Sequence, residues 1–200
     1  MPSRLLPPPV RSDLPDDEVE AFDRVTDRFG GVPQAGYFGA LLHSPPVCAA
    51  VNDGSVAFRA AERRGTLTTE FREWIDIVVG HELGSPWLII AHLPAAIAAG
   101  LDPGQIRAVC NGDGSVLDGT AHALVPYVRA VVRGEVDDAG FSAVVATFGV
   151  RPAVEITAFA CWVAMNTRLA QALGQAEPSW AELDLALERL ITSEQREETP

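Results

Sequence analysis

Lysine is absent from the 200 residues: all 15 basic side chains are arginine, as expected of codon bias in a GC-rich genome. Against 27 acidic residues they leave a formal net charge of -12. Nucleic acids and anionic membrane surfaces both need a basic patch, so this shortage argues against either as the main partner. Cysteine is scarce as well. Cys48, Cys110 and Cys161 are odd in number, far apart and form no Cys-x-x-Cys. A disulfide framework is therefore not expected, and a reducing cytoplasm is the simplest setting. The opening stretch, Met1 to Pro15, has no apolar run of the length a signal peptide needs. The uncharged, alanine-rich run Gly84 to Leu101 raises a membrane question, but it carries Pro86, His92 and Pro94 and has acidic flanks at Glu82 and Asp102. With no basic anchor and no second span, it reads as a buried core helix and not as a membrane helix.

No segment alternates polar and apolar residues as a half-buried strand does, and no internal repeat stands out. The chain instead carries helix punctuation. Asp13-Leu14-Pro15-Asp16 reads as a helix start, and Gly30-Gly31 as its stop after Phe29. Short and longer helices are predicted around 37–42 and up to about Arg64. Thr68 is a candidate N-cap for a helix to Glu82, and Ser85-Pro86 for one to Gly100. Asp102 to Gln105 and Ser179 to Glu182 have capping-box spacing. Further helices are predicted over 119–133, 137–148 and 151–173. The fold class is all-α. The expected organisation is an extended proline-rich stretch at 1–12, a single helical domain at 13–192 and a charged, frayed tail at 193–200.

Two side chains stand out as chemistry. His92 is the sole ionisable group in the Ser85–Gly100 helix, which is apolar on every side and so is expected at the centre of the fold. Burial disfavours the imidazolium, which predicts a neutral histidine near pH 7. Taken alone, His92 reads more easily as a core histidine bonded to a backbone carbonyl, because Pro94 frees the carbonyl of Ile90. Glu73 lies at the edge of the arc formed by Phe71, Trp74, Ile75, Ile77, Val78 and Val79, with Arg72 and Asp76 expected to face away. Ser85 reads as an N-cap and not as a nucleophile. His81 and Glu82 lie at a turn where they border a candidate pocket. No His/Asp/Glu set has zinc-site spacing, and no glycine run forms a phosphate loop, so no metal and no cofactor is expected.

The residues Leu67-Thr-Thr-Glu-Phe-Arg-Glu73, Gly84-Ser-Pro-Trp-Leu-Ile-Ile-Ala-His92, then Ala95 and Ala99-Gly-Leu101-Asp resemble the carboxymuconolactone decarboxylase / alkylhydroperoxidase D-like superfamily. The later stretch Phe148-Gly-Val-Arg-Pro-Ala-Val-Glu155 through Leu173 is similar to that family's long C-terminal helix. The resemblance implies an alkylhydroperoxidase D-like helical bundle that assembles as a homo-oligomer, from dimer to hexamer. In the peroxidase branch two cysteines stand seven and four residues before the histidine; here those positions hold Ser85 and Leu88. Neither cycles through a sulfenate or disulfide, so family-type peroxide reduction is not expected. The decarboxylase branch implies acid–base chemistry on a small carbonyl, lactone or carboxylate substrate, although Leu88 stands where that branch often has glutamate. In that chemistry His92 moves the proton, Glu73 orients or relays, and Trp87, Leu88, Ser85, Trp74 and His81 line the pocket. The alternative is a non-catalytic oligomeric binding protein.

Overall fold

The structure, a computed structural model, describes residues 6–33, 36–117 and 119–197, with side chains as far as 192. Among these residues there is no strand, and ten α-helices carry the fold: α1 (Val19–Phe29), α2 (Tyr37–Leu41), α3 (Pro45–Arg63), α4 (Thr69–Glu82), α5 (Pro86–Ala98), α6 (Pro103–Cys110), α7 (Gly119–Arg133), α8 (Asp138–Phe148), α9 (Val150–Leu173) and α10 (Trp180–Glu197). No helix among them is long and apolar enough to cross a membrane. Two compact units are distinguished by their internal contacts. The first comprises residues 1–60 and 168–176, and its core gathers Phe22, Val25, Leu42, Cys48 and Ala49. The second, residues 61–167 and 177–200, contains α4 to α8, most of α9, and α10.

The helix starts follow local chemistry. Thr68, Asp102 and Asp137 accept hydrogen bonds from the backbone N–H of Phe71 (3.2 Å), Gln105 (2.7 Å) and Gly140 (2.7 Å). Ser179 and Glu182 close a reciprocal capping box, at 3.2 and 2.7 Å. Two boundaries differ from expectation. The first long helix starts at Val19 and not at Pro15, because the chain closes a separate turn first, Glu18 N to Pro15 O at 2.9 Å. At the other end α10 continues to Glu197, so the tail expected to fray from 193 is helical for five residues; residues 198–200 lie outside those described, as do residues 1–5 of the proline-rich stretch.

The centre of the second unit is α4, not α5. Helix α4 packs against α5, α6 and α7, and eight consecutive residues, Glu73 through Gly80, are buried. Burying Trp74, Ile75, Ile77, Val78 and Val79 contributes about 1.5–3 kcal/mol each. Helix α5 covers α4 with Leu88, Ile89, Leu93 and Ala96, whereas Ala91, Pro94, Ala95 and Ala98 are exposed. Its apolar circumference thus has an open side, which overturns its predicted central place.

Gly80 sets the closeness of α4 and α5. A Cβ there would stand 2.7 Å from Ile89 Cγ1 and 3.2 Å from the carbonyl oxygen of Ser85. Gly84, at φ 67°, takes the left-handed conformation that turns the chain between the two helices. Replacing Gly80 with alanine is expected to destabilise the fold by about 1–3 kcal/mol through overpacking. Urea unfolding of the variant checks this, and an unchanged midpoint contradicts the close-approach role.

Candidate functional site

Glu73 and Asp76 are three residues apart on α4, and a 3.6-residue period puts such a pair on one face. That face meets α5. His92 Nδ1 lies 2.9 Å from Glu73 Oε2 and 3.2 Å from Asp76 Oδ2. Both carboxylate side chains are only 4% exposed, while the imidazole keeps 30% of its surface open. The Glu73–His92 pair expected from the sequence is therefore formed. Two expectations fail here. Asp76 points inward, because the second half of α4 has neighbours all round. His92 pairs with carboxylates, not with a backbone carbonyl.

Electrostatics shift both titrations. Burial pushes the Asp76 carboxyl up to about 7, with Glu73 adding to the rise while His92 and Arg72 oppose it. For His92 burial alone lowers the pKa, but Asp76 and Glu73 together outweigh it, and the net shift is upward from 6.5. The paired carboxylates thus act against the expected neutral imidazole and shift the ring toward imidazolium. With a proton on Nδ1 held by the carboxylates, Nε2 stands on the opposite side of the ring, free to give or take a proton where the ring is exposed. Arg72 is bonded to Glu62 at 2.7 Å, and its guanidinium lies 5.5 Å from the Phe159 ring centroid.

The remaining pocket candidates scatter. Ser85 is fully buried; its hydroxyl donates to Glu177 Oε1 (2.7 Å) and accepts from Leu88 N (3.4 Å). Trp87 N donates to Glu177 Oε2 at 3.0 Å, so one carboxylate closes the N-terminus of α5, where helix dipole and free N–H groups favour an anion. Ser85 is thereby a cap and not a pocket wall. Glu177 had no signal in the sequence, since it acts across 92 residues. Trp74 lines a cavity of about 190 Å³ with Glu70, Gly100, Leu101, Gln105, Thr120 and others, and His92 is not in its wall. His81 rests against Trp180, with ring centroids 5.9 Å apart, and burial lowers its pKa. Leu88 is buried and Trp87 partly so.

Over 88% of this chain and 93% of the other, the structure superimposes on the solved alkylhydroperoxidase AhpD core of an uncharacterized peroxidase-related protein from Ralstonia eutropha JMP134, with a TM-score of 0.66 and 21% identity. The chain has the AhpD-like fold. No family model matches the sequence, and no curated protein does.

Within this AhpD-like fold two of the three thiols are held toward their neutral form by burial. All three cysteines are free. Burial pushes Cys48 up to about 11 and Cys110 up to about 12, far from the thiolate that peroxide reduction requires.

The titrations have a consequence for stability. Asp76 ionises at about 7 in the fold against an ordinary 3.8, so its ionisation costs stability from about pH 4 upward, until both states are ionised. His92, raised above 6.5, contributes stability that is present below that value and is lost as pH rises through its folded pKa. Both effects lower stability with rising pH. Between about pH 5 and 8 the native chain should lose about 1–3 kcal/mol more than Asp76→Asn. Denaturant unfolding at the two pH values checks this; an equal loss in both proteins contradicts it.

Proposed function

We propose that the chain is an acid–base enzyme, needing no organic cofactor, that acts on a small carbonyl, lactone or carboxylate substrate. The observation that carries this reading is the 2.9 Å contact of His92 Nδ1 with buried Glu73, reinforced by Asp76 at 3.2 Å. Carboxylates on one ring nitrogen fix the imidazole's orientation and tautomer and raise its basicity, the arrangement a proton-transferring histidine needs. In a decarboxylation, the electron pair left by departing CO₂ forms a carbanion or enolate, and His92 Nε2–H supplies its proton. In an isomerisation the same nitrogen removes a proton from one carbon and returns it to another. Glu73 positions the ring and stabilises its charged form.

The alternative, a thiol peroxidase, has in its favour the likeness in fold to a peroxidase-related protein. It has against it the raised pKa values of Cys48 and Cys110 and the lack of a Cys-x-x-Cys. A non-catalytic binding protein would use Glu73 and His92 only to satisfy buried polarity. Assayed against small oxo acids, lactones and β-keto acids, His92→Ala and Glu73→Gln should each lower turnover about 10²- to 10⁴-fold. Unchanged turnover in both variants removes this mechanism.

Self-association belongs to the same reading. The open side of α5 at Ala91, Pro94, Ala95 and Ala98, and exposed Val150, Val154 and Met165 on α9, are apolar surfaces that a second copy would cover. Light scattering of the purified chain is expected to give a species between dimer and hexamer; a monomer at micromolar concentration speaks against it.

A further inference from the structure

Three ligand-type side chains converge on one point of the second unit: Glu73, Asp76 and His92 each offer one ligand atom, and these atoms all lie within 4.8 Å of one another. The separations from Nδ1 are 2.9 and 3.2 Å. When a cation binds nitrogen and carboxylate oxygen at about 2.0–2.2 Å, neighbouring ligands stand about 3.0–3.4 Å apart. The observed separations are therefore close to the edges of a coordination polyhedron, and a central ion needs little rearrangement.

A second observation points to a ligand. Asp76 is 3% exposed, and its Oδ2 is buried without a hydrogen bond while facing His92. The Nδ1 position carries at most one proton, and Glu73 accepts it in better geometry. A buried carboxylate oxygen left in this way loses hydration with no bond in return, a state that folded proteins seldom keep without a use. A divalent cation satisfies all three atoms at once. It neutralises two carboxylates and uses the Nδ1 lone pair, as one proton cannot.

We propose that Glu73, Asp76 and His92 bind one divalent transition-metal ion, which takes the place of the Nδ1 proton. One imidazole with two carboxylates suits Mn²⁺, Fe²⁺, Co²⁺ or Zn²⁺ better than Mg²⁺ or Ca²⁺, which prefer oxygen alone. The opposing charge of Arg72 is turned to Glu62 at 2.7 Å. Binding has a chemical consequence. Metal on Nδ1 leaves Nε2 protonated and without a lone pair, so His92 no longer serves as a base. Metal on Nδ1 and base catalysis by Nε2 are thus antagonists on one imidazole ring. This goes beyond the acid–base reading and does not depend on it, because binding is measured without substrate.

The test is calorimetric titration of the chelator-treated full chain with Zn²⁺, alongside Asp76→Asn, Glu73→Gln and the exposed-surface control Glu135→Gln. One ion per chain is expected, with affinity at least about tenfold weaker in the two site variants and unchanged in the control. No saturable binding, or equal affinity in Asp76→Asn and the native chain, overturns the proposal. Should circular dichroism show the variants unfolded, the native chain decides. Zn²⁺ must then shift the ¹⁵N resonance of His92 Nδ1 and leave Nε2 protonated, and an unmoved resonance overturns the proposal. The acid–base reading fails separately, by turnover that survives loss of His92.

Discussion

Two carboxylates on one face of a central helix, sharing a single imidazole nitrogen, are the constraint around which the second unit is organised. Glu73 and Asp76 are nearly solvent-free, and each ionised oxygen there would be costly without His92 at 2.9 and 3.2 Å. The pairing requires α5 to lie close against α4, which Gly80 permits by presenting no Cβ to Ile89. It also requires α5 to begin at a defined place, which Ser85, Pro86 and the carboxylate of Glu177 secure together. Helix spacing, helix start and site geometry are thus aspects of one arrangement.

That arrangement also fixes what stands at the N-terminus of α5. A helix N-terminus would stabilise a thiolate placed on it. Here the same partial positive charge is matched by Glu177, delivered from the segment before α10, and Ser85 is bonded to it. The cysteines that do exist lie elsewhere, two of them pushed toward the neutral thiol by burial. The AhpD-like fold thus brings an imidazole and two carboxylates together between α4 and α5.

Much of the fold was legible from the sequence. Thr68, Ser85-Pro86, Asp102, Asp137 and Ser179 mark helix starts by a mechanism that acts over three or four residues, and each of these helices begins within a residue or two of its mark. The Glu73–His92 pairing was also legible, through the resemblance of the surrounding text and not through either residue alone. Asp76 was misread because periodicity identifies the apolar face of a helix on the assumption that the opposite face is wet. Helix α4 has neighbours on its other sides, so its polar residues had nowhere to go but inward. The reverse error befell α5, whose uniformly apolar surface suggested a centre it does not occupy.

By itself the sequence determined the all-α class, most helix boundaries, the lack of a redox cysteine pair and an acidic surface, since these depend on composition and on contacts between near neighbours. The tertiary structure decided the rest. It brought Asp76 to His92, tied Glu177 to Ser85 across 92 residues, and turned an expected neutral histidine toward its charged form. Those outcomes depend on which buried charges end up facing one another. Burial and Coulomb terms act through space, with opposite signs on an imidazole, and only the packed geometry shows which is larger.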